Sequence, residues 1–215
     1  MDKPLLTHLE FKVLEALFKN EWVRTHFYLT GGGALAGFHY GHRYSEDLDL
    51  FTHGTDLDAV PALLRDTAAA LQLPLEGGPA SPSFHRFRLG GIKVEFVRDV
   101  DSRVGSPELR HGILVDCVKN IAVNKVCAIY GRLDAKDYVD LDAILAREGY
   151  DLFELFALAK QKDGGIDPFQ WAQIIADVGE LHVFPRMAEP LDRDALVRRF
   201  RTLRDRILDR LKPER

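Results

Sequence analysis

Residues Phe27–Phe51 read FYLTGGGALAGFHYGHRYSEDLDLF, and the fold depends on how this stretch is parsed. The apolar run Phe27 to Leu29 has the composition of a buried strand. Gly31, Gly32 and Gly33 follow, and Ala34 to Tyr40 suits a helix that turns out at Gly41. The chain then alternates, with Asp47, Asp49 and Phe51 on one face of a strand and Leu48 and Leu50 on the other. Residues two apart on a strand share a face at a spacing of roughly 6.6 Å. Both carboxylates therefore project the same way from a backbone anchored by apolar neighbours, which is half of a divalent-metal site. The glycines offer the other half, because a backbone without side chains can approach a phosphate closely and present N–H groups to it. Mg2+ takes one or two carboxylates together with substrate phosphate oxygens. A Gly-rich turn or an Asp-Leu-Asp alone is more often structural or solvated. The two at this spacing, with Arg43 and Ser45 just before the aspartates, favour a site.

The order Gly-Gly, small apolar helix, His42-Arg43, Ser45, Asp47, Asp49, Phe51 resembles the AbiEii/AbiGii toxin-type nucleotidyltransferases, a branch of the DNA polymerase β-like superfamily. The resemblance is close here and extends more loosely to about Leu145. It implies nucleotidyl transfer from a nucleoside triphosphate with Mg2+, or Mn2+ in its place. Asp47 and Asp49 would hold the metal, and Gly32, Gly33, Arg43 and Ser45 would bind the nucleotide. It also favours the 3′ end of tRNA as acceptor, growth arrest as the result, and a separately encoded antitoxin as partner.

Composition bounds the rest. With 215 residues and 46% hydrophobic content, the chain can bury a core in one domain or in one domain plus a helical appendage. A net charge of −4 argues against a globally basic nucleic-acid binder. Cys117 and Cys127 are too few for a disulfide framework, no apolar run approaches a membrane span, and MDKPLLTHLE lacks the apolar core of a signal peptide. The expectation is a cytoplasmic protein without membrane partners.

Along the chain, Leu6, Leu9, Val13, Leu14, Leu17 and Phe18 predict an amphipathic helix over residues 5–18. A second is predicted over 57–71, capped by Thr55 or Asp56. Proline, glycine and serine make 73–83 a predicted loop. Phe84–Leu89 and Ile92–Val97 flank Gly90-Gly91 as a hairpin, with Ile92, Val94 and Phe96 on one face and Lys93 and Glu95 on the other. By order and facing, Glu95 matches the third metal carboxylate that superfamily members usually place on a neighbouring strand; a plain surface glutamate is the alternative. Arg86 and Arg88 share a face, where they either neutralise phosphate or guard a sheet edge.

Helices are then expected around 119–129 and over 134–147, broken at Gly131. Lys125, Asp137 and Asp140 repeat the family's second motif. Along an unbroken helix Lys125 and Asp140 would be about 22 Å apart, so the break is needed to bring them together. The resemblance makes Lys125 and Asp140 catalytic and adds Lys125 and Asp137 to the nucleotide site. Plainer roles are a first-turn carboxylate for Asp137, an Asp140 pair with Lys136, and a snorkelling Lys125. Residues 150–215 are expected to be wholly helical. From Asp192 onward nine Lys or Arg stand against five Asp or Glu, a local +4 that leaves −8 elsewhere.

The glycines are one residue off a dinucleotide fingerprint, no Lys-Ser or Lys-Thr follows them, and no zinc-ligand spacing occurs. The expected fold is α/β: a small mixed sheet flanked by helices over residues 1–115, then a helical region over 116–215 that completes the nucleotide site. Transfer to a small hydroxylated molecule and an inactive binding module are the competing functions.

Overall fold

Thr7 opens the first helix with a capping box. Its hydroxyl accepts from the Glu10 N–H at 3.2 Å and the Glu10 carboxylate accepts from the Thr7 N–H at 2.6 Å. The computed structural model describes residues 5–100 and 102–212, and within it the chain forms two compact units, one ending at Cys117 and the other starting at Val118.

In the first unit, helix α1 (His8–Lys19) buries Val13, Leu14, Leu17 and Phe18. Asn20 ends it and caps the short helix α2 (Glu21–His26), where half-buried Trp22 packs against Phe27 at 4.9 Å between ring centres. Strand β1 (Tyr28–Thr30) runs into helix α3 (Gly31–Ala34), which continues as a π-helical turn, Leu35–Tyr40, and stops at Gly41 with φ +65°. The helix thus starts on the glycines themselves, three residues before the apolar pattern suggests. Strand β2 (Asp47–Thr52) follows, then helix α4 (Val60–Leu71). Neither Thr55 nor Asp56 caps α4: its first residue follows Ala59, and Asp56 instead accepts from the Asp58 N–H in a local turn.

The sheet has seven strands, adding β3 (Leu75–Ser81), β4 (Phe84–Leu89), β5 (Ile92–Arg98), β6 (Glu108–Arg110) and β7 (Ile113–Val115), in the order β3-β4-β5-β2-β1-β7-β6. It is mixed: β2 pairs β5 and β1 pairs β7 in parallel, while the other pairs are antiparallel. The Gly90-Gly91 hairpin forms as expected, both glycines having positive φ. Residues 73–83 are not a loop. Leu75–Ser81 is the exposed outer strand, with a register shift between Gly77 and Ala80 where Pro79 sits. Edge strands and bulges are where proline and glycine are tolerated. Consequently β4 is interior, and its arginines guard no edge. The short strands β6 and β7 precede the helix expected around 119–129, and the sequence pattern predicts neither.

One face of the sheet is apolar, with Leu29, Leu48, Leu50, Val94 and Phe96 all buried completely and the Phe27 and Phe96 rings 5.1 Å apart edge to face. The other face carries the charged side chains.

The second unit is helical: α5 (Val118–Gly131), α6 (Ala135–Glu148), α7 (Leu152–Lys162), α8 (Pro168–Ile174) with a 3-10 turn to Glu180, and α9 (Arg193–Arg210). Asp134, Asp151, Asp167 and Asp192 cap four of them through their carboxylates. Trp171 is wholly buried, its indole N–H donating to the Val126 carbonyl at 3.1 Å and its ring 5.1 Å from Phe156. Tyr138 of α6 packs on Phe200 of α9 at 4.9 Å. The chain from Leu181 to Asp192 is irregular, so the region is not helical throughout; residues 213–215 lie outside the described residues.

Candidate active site

Each glycine of the turn packs against strand β2 or the residues that lead into it. Gly31 has φ +63°, and a Cβ there would collide with the Asp49 carboxylate. A Cβ on Gly32 would strike the Arg43 guanidinium and lie 3.1 Å from the Ser45 hydroxyl; one on Gly33 would come within 2.9 Å of the Asp47 carbonyl. Only residues without side chains let helix α3 sit this close to β2. The glycines and the aspartates are therefore one local construction. Arg43 and Ser45 are buried within it, the guanidinium donating to the Tyr44 carbonyl at 2.9 Å.

Across the sheet, register lines the charged groups into two rows. Arg86, Glu95, Asp49 and Thr30 are successive cross-strand partners on β4, β5, β2 and β1; Arg88, Lys93 and Asp47 form the adjoining row. Asp47, Asp49 and Glu95 thus share a face, as their alternation predicts. Glu95 Oε1 is held by Arg86 Nε at 2.6 Å and lies 3.6 Å from Lys93 Nζ, which is itself 2.8 Å from Asp47 Oδ2. Burial, the largest influence on the Lys93 ammonium, lowers its pKa. The hydrogen bond to Asp47 and the charges of Asp47, Glu95 and Asp49 outweigh it and raise the pKa above the usual lysine value.

The donor set suits an ion of the Mg2+ kind. Two half-buried carboxylates on one strand meet the one-or-two-carboxylate requirement, and their exposed sides leave the rest of such a shell to water or phosphate oxygens. Among the described residues no three His, Cys, Asp or Glu side chains gather into a protein-only cage, and Glu95 is turned to Arg86 and Lys93.

The row ends in a group that the sequence reading missed. Asp116, fully buried after β7, accepts from the Thr30 hydroxyl at 2.6 Å and from Arg103 Nη2 at 2.6 Å, and His39 Nε2 reaches its carbonyl at 2.8 Å. Nothing around Asp116 in sequence announces this, because its partners lie far away in the chain. Lys93 was within reach of the same alternation that found Glu95.

In the helical unit, the break after Gly131 lets α6 return along α5. Lys125 Nζ lies 2.8 Å from Asp137 Oδ1 and 2.7 Å from Asp140 Oδ2, and Arg132 Nε holds the other Asp137 oxygen at 2.7 Å. Both carboxylates are completely buried, and Lys125 nearly so. Lys125 therefore does not snorkel, and Asp140 pairs with it. Burial pushes the Asp137 carboxyl up, but the Lys125 charge and the Arg132 and Lys125 hydrogen bonds together hold it below the usual carboxylate range. On α9, Arg199 is clamped bidentately by Asp142, at 2.6 Å on each oxygen.

Among the described residues no helix is long and apolar enough to cross a membrane. The chain is 34% identical over 145 residues to an uncharacterized protein of Aquifex aeolicus (strain VF5), covering 66% of this chain and 68% of that one. In fold it is similar to a Helicobacter pylori protein assigned as a nucleotidyltransferase, with TM-score 0.63, 19% identity and 96% of each chain covered. It is also similar to the nucleotidyltransferase toxin MenT4 of Mycobacterium tuberculosis, with TM-score 0.55, 14% identity and coverage of 95% and 83%. Residues 12–212 match the family described as nucleotidyl transferase AbiEii toxins of type IV toxin–antitoxin systems, and the chain belongs to that nucleotidyltransferase family.

Proposed function

We propose that this nucleotidyltransferase moves a nucleotide from a nucleoside triphosphate to the 3′ end of tRNA, with a divalent cation, Mg2+ or Mn2+, held by Asp47 and Asp49. The observation that carries this reading is the packing of the glycine turn onto the Asp47–Asp49 strand, which puts the start of helix α3, Arg43, Ser45 and two carboxylates in one construction. When bound, such an ion neutralises triphosphate charge and polarises the α-phosphorus. The backbone of Gly32 and Gly33 approaches the phosphates, Ser45 supplies a hydroxyl, and Arg43 braces the turn while adding positive potential. Glu95 is the candidate third carboxylate. Within the helical unit Asp137 and Asp140 fix Lys125, and the full burial of Asp140 suits orienting the lysine better than taking a proton from an acceptor. Chemistry of this kind is mostly positioning and electrostatics.

A toxin role and a cognate antitoxin agree with the family, whose description places it in type IV systems. The cytoplasm, which holds both NTP and tRNA, is the proposed location. A tRNA substrate needs a positive surface on a chain of net charge −4. The exposed face of α9 carries Arg198, Arg201 and Arg206, whereas Arg199 is committed to Asp142.

The test is incubation with each α-labelled NTP, Mg2+ or Mn2+, and total tRNA. Labelled tRNA is expected with one NTP, and Asp47→Asn or Asp49→Asn should abolish it while shifting Tm little, because a partly exposed pair such as Asp47–Lys93 contributes only about 1 kcal/mol or less. Label on a small hydroxylated compound and none on tRNA would remove the acceptor assignment. A variant keeping most of its activity would remove the metal assignment.

A further inference from the structure

Lys93 sits where a metal would compete with it. It is the cross-strand partner of Asp47, two residues before the Asp49–Glu95 row and on the same face, and its ammonium lies 2.8 Å from Asp47 and 3.6 Å from Glu95. The same Glu95 oxygen that faces Lys93 takes the Arg86 bond at 2.6 Å. Three carboxylates on adjoining strands repel one another, and two cations from β4 and β5 offset this within the chain itself. The Lys93 and Asp47 side chains remain about a quarter exposed, at 24% and 26%, so the ammonium has a path to water. Lysine has a flexible stem ending in a compact charge and gives up a partner at little steric cost, whereas Arg86 is fixed by its planar group.

We propose that Lys93 is a built-in counter-ion for the carboxylate face: it orders Asp47 and Glu95 in the metal-free protein and must leave Asp47 when a divalent cation arrives. This rests on the assignment of Asp47 and Asp49 as metal ligands. Two consequences follow from like-charge repulsion between the ammonium and the ion. Metal affinity is lower than the carboxylates alone would give, and the carboxylates are ordered before any metal binds. Lys93 is thus a positioning residue, not a catalytic one.

The test is direct Mn2+ binding, read from the free-ion electron paramagnetic resonance signal without NTP, for the wild type and for Lys93→Met, Lys93→Arg and Asp49→Asn. Lys93→Met keeps the stem and removes the charge, so its Kd for Mn2+ should fall by about three- to tenfold at low salt, with the gap narrowing as salt is added. Lys93→Arg should stay near wild type, because the charge and not the shape opposes the metal. Asp49→Asn should lose binding. Should Lys93→Met not fold, Lys93→Gln serves, with the same expected direction. Equal affinity in wild type and the neutral variants would overturn the Lys93 assignment while leaving the metal site standing. Absence of Mn2+ binding in every variant would overturn the metal site and this inference together.

Discussion

Lys125 shows how far a residue's environment can alter the expected effect of removing it. The sequence offers either a nucleotide-site lysine or one that snorkels from a half-buried face. Instead it lies between two completely buried carboxylates. Taking away one member of a buried ion cluster leaves uncompensated charge, which costs about 3–5 kcal/mol. Lys125→Ala is therefore expected to lower the melting temperature of the helical unit substantially, with Lys125→Arg milder because the charge remains. Unchanged thermal unfolding of Lys125→Ala would show that the two aspartates find another cation. The meeting of Lys125 and Asp140 was legible from the Gly131 break, since an intact helix would hold them apart. The roles of Thr30, Asp116 and Arg103 were not, because hydrogen bonds across β1 and β7 depend on which strands become neighbours, and no local pattern encodes that.

Among the elements, those with strong local chemistry were the readable ones. The alternation of β2 and β5, the Gly90-Gly91 turn and the helix α6 behind its Asp134 cap each carry their own signal in a few residues. Strand β3 carries the opposite signal, since Leu75–Ser81 contains two glycines and a proline and is a strand only because β4 offers it a ladder. Strands β6 and β7 have three residues each, too few to display a period. The structure starts α4 later than the sequence suggests: Thr55 and Asp56 are both good cap residues, but Asp56 closes a local turn and the helix begins after Ala59. Helix α1 depends on its cap in a testable way. Both arms of the Thr7–Glu10 box are formed, and Glu10 is nearly buried. Thr7→Ala should cost about 1 kcal/mol, seen as a drop of about 4 °C in the unfolding of the first unit. A change within error would mean that tertiary packing alone holds α1.

For the whole molecule, each unit carries its own acid-sensitive group. Burial, then the Arg110 charge, lowers the pKa of His39 against the opposing bond to the Asp116 carbonyl. The unfolded chain therefore takes up that proton first: the stability held by neutral His39 is complete above about pH 6.5 and declines below it. Asp137 has a lowered folded pKa, so its contribution is complete above about pH 4 and is lost as pH falls through the folded value. Acidification should thus weaken the unit ending at Cys117 before the helical one, as amide hydrogen exchange measured against pH would show. Simultaneous loss of protection in both units above about pH 5 would contradict this. The two tryptophans of the chain are divided in the same way, half-buried Trp22 on α2 and wholly buried Trp171 on α8. Trp171 sits in an apolar interior with its indole bonded to a carbonyl, so it emits at shorter wavelength than the partly wetted Trp22. A Trp22→Phe chain accordingly carries a single tryptophan, whose emission excited apart from the six tyrosines watches the helical unit alone, and a Trp171→Phe chain one that watches the first unit.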